Sequence, residues 1–289
     1  MPALRDIRRR IASVRSTRQI TNTMKMVAAA RLRRAQEALF RARPYAWGLE
    51  RLIGDLCVRV RKESHPLLAP GTSGRGALVV VTSDRGLCGA FNSNVLRRAI
   101  ERMAERPEVE MGLISVGKKG RDFFRRRGWP VLHEEVGIFQ ELSIDRARNL
   151  AERIEELYLS GDLEFVEVVH QEFRSPVRQE VVLRPLLPIV PHEPVEGPVR
   201  PYLYEPSEEA LLEVLLLRYL VVQMWRVLLE SFAAEQGARM VAMENATDNA
   251  DEMIEELTLL YNKARQAAIT KEILEVAGGA EAMRKAEET

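Results

Sequence analysis

The sequence predicts a mostly helical α/β fold, in which the first and last segments form a long antiparallel coiled coil and an α/β domain is inserted between them. Three observations predict it: where proline and glycine fall, an alternating three-and-four apolar spacing at both ends, and continuous apolar runs confined to the middle. After Pro2 neither proline nor glycine appears until Pro44, and after Pro206 there is no proline at all. Half of the 14 prolines crowd residues 185–206. The expected segments are therefore a helix over 1–58, an α/β domain over 75–190, an extended proline-rich connector over 191–206 and a helix over 207–289.

The first helix places Leu4, Ile7, Ile11 and Val14, then Ala28, Leu32, Ala35 and Leu39, on one stripe. The last begins after Ser207, a good N-cap, with Glu208 and Glu209 at the positive end of the helix dipole. Its stripe runs through Val222, Leu229, Ala233, Gln236, Met240, Met243, Thr247, Ala250, Ile254, Leu257, Tyr261, Ala264 and Ala268, the seam of a coiled coil. At about 1.5 Å per residue these are rods of roughly 65 Å and 100 Å. Many seam residues are small or polar, so the helices approach closely but bury little area per turn at roughly 25 cal/mol per Å². Two readings follow: an exposed coiled-coil arm, or a rod enclosed by partners.

In the middle the rhythm changes. "ALVVVTS" and "MGLISVG" are continuous apolar runs suited to buried parallel strands, and "FVEVVHQEF" and "QEVVLRPLL" read as later, half-buried strands. "NVLRRAIERMAE", "GRDFFRRRG" and "RARNLAERIEELYL" supply helical crossovers, which makes the domain Rossmann-like.

Charge is divided between the ends. Residues 1–50 carry twelve Arg and Lys against three acids, a net of +9, whereas residues 207–289 carry sixteen acids against eight bases, a net of −8. That complementarity favours pairing the ends, although exposed ion pairs contribute only about 0–1 kcal/mol each. It also weakens the case for a nucleic-acid binder, because an acidic partner helix cancels much of the field of the basic one. No apolar run reads as a signal peptide or as a membrane span of about 18 residues. Cys57 and Cys88 have no metal or redox spacing, and His65, His133, His170 and His192 are scattered. No metal site, cofactor or catalytic constellation is expected.

Two motifs resemble phosphate loops. Residues 112–119, "GLISVGKK", fit GxxxxGK, but Lys119 stands where Ser or Thr would hold magnesium, and Gly112 lies inside an apolar run. Gly86 and Gly89 in "TSDRGLCGAFN" follow the first strand, where open sheets bind ligands. GxxG is not GxGxxG, and the simpler expectation is a strand-to-helix turn with Asn92 or Ser93 capping the next helix.

Three stretches carry a family resemblance: "IRRRIASVRSTRQITNTMKMVAAARLRRAQ", "SDRGLCGAFNSNV" and "MENATDNADEMIEELTLLYNKARQAAITKEILEVAGGA". In content and order the sequence resembles the gamma subunits of F-type ATP synthases. The resemblance implies a non-catalytic rotor shaft. Such a shaft couples proton-driven rotation of a membrane c-ring to conformational cycling of three catalytic beta subunits, for ATP synthesis or hydrolysis. The implied partners are three alpha and three beta subunits, an epsilon subunit and the c-ring, with no nucleic acid. Membrane association would come only through the c-ring, at the cytoplasmic face of a bacterial plasma membrane. By the same resemblance Met24, Lys25 and Met26 pass an acidic beta-subunit loop, with Arg31, Arg33 and Arg34 facing carboxylates and Arg239 near the same level. Arg265 and Gln266 become polar contacts higher in the ring, and Ile269 and Thr270 begin a segment entering an apolar collar. Tyr204, Glu205 and Glu208 become the c-ring contacts. The chloroplast form carries a regulatory cysteine pair in an extra loop, and neither Cys57 nor Cys88 lies in the matching region.

Overall fold

The computed structural model describes residues 4–57, 65–71, 73–190, 205 and 207–287. Helix α1 spans Leu4–Cys57 and helix α5 spans Glu208–Glu287. Ser207 caps α5 as its position predicts, its Oγ accepting from the Ala210 amide at 3.3 Å. Pro44 sits inside α1, which loses one backbone hydrogen bond there and continues. The described residues fall into two compact units, those within 1–26 and 242–289, and those within 27–241.

In the first unit the two helical segments run antiparallel. Arg8 donates to the Tyr261 hydroxyl at 2.7 Å, Arg18 pairs with Asp251, Thr21 shares a hydrogen bond with Thr247 at 2.8 Å, and Lys25 pairs with Glu244 at 3.0 Å. Partner numbers fall as the first numbers rise, which fixes the direction. Ile7, Thr21, Met243, Thr247 and Ala250 are buried along this seam, while Ile254, Leu257, Tyr261 and Ala264 are only half-buried and Ala268 is exposed.

The second unit contains a five-stranded sheet in the order β3-β2-β1-β4-β5. Its strands are β1 (Arg75–Val81), β2 (Glu110–Val116), β3 (Val131–Glu135), β4 (Phe165–Phe173) and β5 (Gln179–Leu187). The first four are parallel neighbours and β5 closes on β4 as an antiparallel hairpin. Helices α2 (Phe91–Glu105) and α3 (Lys118–Arg125) pack Val95, Ala99, Met103 and Phe124 against Leu78, Val80 and Leu113 on one face. The other face takes α4 (Ile144–Leu157) together with Leu49, Ile53 and Leu56 of α1 and Leu216, Leu220 and Met224 of α5. That division follows from right-handed crossovers leading outward from β1 in both directions, so the sheet is doubly wound. β1 and β2 are buried on both faces, which is why they read as continuous apolar runs.

Sequence reasoning does not identify β3. "VLHEE" is an edge strand, half-exposed and charged, so it shows neither an apolar run nor a clean alternation. The cap expected for α2 is also corrected: Ala90 precedes the helix without a side-chain hydrogen bond, and Asn92 Oδ1 instead accepts from the Ser83 amide at 2.9 Å. Asn92 is drawn back because the tight turn after β1 leaves that amide without a strand partner. Gly237 does not interrupt α5. Its missing side chain admits the β4–β5 hairpin, whose Pro176 backbone would lie 3.3 Å from a Cβ there.

Candidate functional site

The residues expected to meet partners divide by exposure. In the first unit Met24 is half-buried, Lys25 is engaged with Glu244, and Met26 is exposed. Arg265, Gln266, Ile269 and Thr270 are exposed, and the Thr270 hydroxyl donates to the Gln266 carbonyl at 2.9 Å. The exposure continues through residue 280, although this stretch is not polar: Ile273 is 62% exposed, Leu274 67% and Val276 69%. The physical reason is register. Arg8 stands opposite Tyr261, so beyond Ala264 the described part of α1 supplies little helix for α5 to lie against.

In the second unit Arg31, Arg33 and Arg34 are exposed on α1, and Arg33 pairs along its own helix with Glu37 at 3.2 Å. Below them Leu32, Ala35 and Leu39 pack against Leu229 and Ala233 of α5. The alanines keep the two backbones close, so one stripe of α1 is sealed while the arginines project from another. Arg239 departs from the expected outward-facing contact. It is buried, pairs with Glu235 at 2.6 Å and donates to the Gly86 carbonyl at 3.3 Å. Glu205 is exposed, Glu208 opens α5 with its side chain outside the described ones, and Tyr204 lies outside the described residues, as does most of the 191–206 connector.

The Gly86–Gly89 loop occupies the C-terminal edge of β1, where a doubly wound sheet would hold a ligand. Here α5 fills the place: Ala234 and Ala238 pack with Cys88, Phe91 and Phe173, and Arg239 reaches the loop carbonyls. Asp84 Oδ1 accepts from the amides of Lys118 and Gly137, both at 3.0 Å, tying the loops after β1, β2 and β3 together. The loop is therefore a turn braced against a helix. Burial pushes the Glu235 carboxyl up despite the adjacent Arg239 guanidinium, and pushes the Cys88 thiol up as well. Sequence reasoning missed Glu235; its i,i+4 spacing to Arg239 is the one signal it offered. Gly112 lies within β2 and Gly117 precedes α3, so residues 112–119 form no phosphate loop.

His170 is buried in β4, 3.4 Å from Glu230 on α5. Burial opposes ionisation of Glu230, but hydrogen bonds from His170 and Arg226 hold its carboxyl below the usual glutamate range. Among the described residues no group of His, Cys, Asp and Glu has metal-holding geometry, and no helix is long and apolar enough to cross a membrane.

The fold is thus that of a paired-helix protein carrying an inserted, doubly wound α/β domain, with charged and apolar residues left facing outward along its helices. A family model described as ATP synthase matches residues 3–283. An ATP synthase gamma chain from Anaeromyxobacter sp. (strain Fw109-5) is 48% identical over 290 residues, covering 98% of this chain and all of the relative. That of Chloroherpeton thalassium is 45% identical over 303 residues, covering 99% of each. The chain belongs to the ATP synthase gamma-chain family. A chain from the Tetrahymena thermophila mitochondrial ATP synthase central stalk and c-ring structure matches with a TM-score of 0.63 and 27% identity, over 78% of this chain and 99% of that one. A chain from the Euglena gracilis mitochondrial ATP synthase has the same fold, with a TM-score of 0.70 at 21% identity over 99% and 96% of the two chains.

Proposed function

We propose that this chain is the central rotor shaft of an F-type ATP synthase, a non-catalytic subunit turning inside three alpha and three beta subunits and resting on an epsilon subunit and a membrane c-ring. It would lie peripherally at the cytoplasmic face of a bacterial membrane. The observation that carries this reading is the end of α5, where Ile269, Ile273, Leu274 and Val276 are exposed and no other described segment covers them. A lone helix holding such residues in water is not stable by propensity alone, and a contiguous apolar surface of this kind needs a covering partner. An apolar collar from the surrounding subunits suits it and, being non-directional, permits rotation.

The paired segments supply the asymmetry a shaft requires. Arg31, Arg33 and Arg34 project from α1, while the acids of α5 are partly consumed by Arg18 and Lys25. A two-helix shaft presents a different face to each of three similar partners, so turning it moves each partner through distinct states. Exposed charge pairs worth about 0–1 kcal/mol each are exchanged at every step and steer without locking. Steric displacement of the partner loops supplies most of the torque. The segments 1–58 and 207–289 act as the shaft, 75–190 as the base domain and 191–206 as the connector, with Tyr204, Glu205 and Glu208 directed to the c-ring. Met24, Met26, Arg265, Gln266 and Thr270 serve as further contacts within the ring.

The test is to co-express the chain with alpha and beta subunits of one source and assay the purified assembly. A three-to-three-to-one complex that hydrolyses ATP, with an isolated chain that does not, is the expected result. Absence of any complex, with nucleotide hydrolysis by the chain alone, would overturn the proposal.

A further inference from the structure

One feature of the 27–241 unit serves none of these contacts. A cavity of about 490 Å³ opens between α1, α5, the end of β4 and the start of α4. That volume lies within the roughly 300–1,000 Å³ of small-molecule sites. Its walls mix aliphatic side chains, among them Leu39, Ile144 and Val222, with four aromatic ones: Tyr45 and Trp47 from α1, Trp225 from α5 and Phe173 from β4. The aromatic rings give it flat apolar surfaces suited to a planar ligand, which is how small-molecule sites are commonly lined.

The charged residues at its edge decide what it can hold. Both carboxylates are already neutralised. Glu230 accepts from Arg226 Nε at 2.9 Å and lies 3.4 Å from His170, and Glu172 pairs with Arg184 at 2.9 Å and Arg174 at 3.3 Å. Arg43 differs, because its guanidinium lies 5.0 Å over the Phe40 ring and meets no carboxylate among the described residues. A cation entering the cavity would find the acids occupied, whereas an anion would find at the cavity's edge the exposed Arg43 guanidinium, free of a carboxylate and able to form a charge-assisted hydrogen bond.

We propose that this cavity binds a small aromatic anion, a carboxylate or sulfonate, with its rings among Trp47, Trp225 and Phe173 and its charge on Arg43. The proposal is independent of the rotor reading, since it concerns the isolated chain and no partner subunit.

Two of the three tryptophans line the site and act as reporters. The full-length chain carrying Trp129→Phe is titrated with anilinonaphthalene sulfonate, and energy transfer from tryptophan to the probe is followed. Phenylnaphthylamine, the same ring system without the sulfonate, is the uncharged control. The expected result is saturable one-to-one binding of the sulfonate, weakened about tenfold or more by Arg43→Ala and largely retained by Arg43→Lys. The uncharged probe changes by less than about twofold. Ala42→Phe, which fills the cavity, removes transfer to both probes, and circular dichroism reports whether that variant folds. If it does not fold, the exposed Arg43 variants carry the test unaided. Equal affinity for the two probes, an Arg43→Ala variant that binds the sulfonate unchanged, or transfer persisting in a folded Ala42→Phe variant would each overturn the proposal.

Discussion

Arg239 and Glu235 show how one buried ion pair serves the fold. Their side chains are 10% and 6% exposed and 2.6 Å apart, and the guanidinium also holds the loop after β1 through its carbonyls. Removing one partner leaves the other charge buried, a loss of about 3 kcal/mol, whereas replacing both by apolar residues is close to neutral. Arg239→Ala should therefore lower the denaturation midpoint of the chain markedly, and Glu235→Leu with Arg239→Met should recover most of the loss. A double variant as unstable as the single one would show that the loop contact, not the stranded charge, dominates. Glu230 makes a prediction about pH. Burial raises its carboxyl, but His170 and Arg226 more than offset this and its folded value lies below the ordinary range. A depressed carboxylate contributes stability that is present above the unfolded value and lost as pH falls through the folded one. Glu230→Gln should accordingly be less stable than the parent at neutral pH, and the gap should narrow as acid is added, read from urea denaturation at stepped pH.

The glycines of the sheet separate two costs that look alike in sequence. Gly117 joins β2 to α3 at a φ of 91°, and a Cβ there would lie 2.1 Å from the Thr82 carbonyl oxygen. Both the backbone conformation and the fixed carbonyl oppose any side chain, so Gly117→Ala should cost about 2 kcal/mol or more. Gly112 within β2 has an ordinary φ, and its Cβ would meet the Leu132 side chain at 2.4 Å. Leu132 is 40% exposed and can swing into solvent. Gly112→Ala should therefore cost under about 1 kcal/mol, and thermal melts of the pair decide whether the neighbour's freedom sets the outcome. A similar contrast governs what reads as a strand. β1 and β2 are evident as apolar runs because both faces are covered, whereas β3, with His133, Glu134 and Glu135 on an edge, has no such constraint.

For the assembled complex, the proposed rotor predicts that contacts are individually dispensable where they steer and costly where they bear. Arg33→Ala or Arg34→Ala should lower the coupling of ATP hydrolysis to proton pumping modestly in membrane vesicles, since each removes about 1 kcal/mol or less. Failure of assembly from either change alone would contradict the steering role. Ile273→Asp should leave the helix content of the isolated chain unchanged, because the residue is mostly exposed there, and should reduce the yield of the complex by several-fold. Unchanged yield would remove the bearing role from that segment.

Much of this arrangement is present in local pattern. Spacing along one helix, such as Leu32, Ala35 and Leu39, and the apolar runs of β1 and β2 report which side of an element must be hidden, because periodicity and burial are properties of neighbouring residues. The opposed charges of the two ends likewise announce the pairing later seen in Arg18 with Asp251 and Lys25 with Glu244. Other features depend on residues far apart in the chain. Arg239 reads as one more basic residue on a helix until α5 is laid over the loop at Gly86, and only that placement turns it inward. Asn92 reads as a helix cap until the Ser83 amide claims it. The aromatic cavity needs Trp47 and Trp225, 178 positions apart, to be brought together by helices from opposite ends. Sequence determines which faces are sticky and which residues are charged. Packing across long separations decides which charges are consumed inside the molecule and which remain for a partner, because burial and ion pairing depend on what lies opposite.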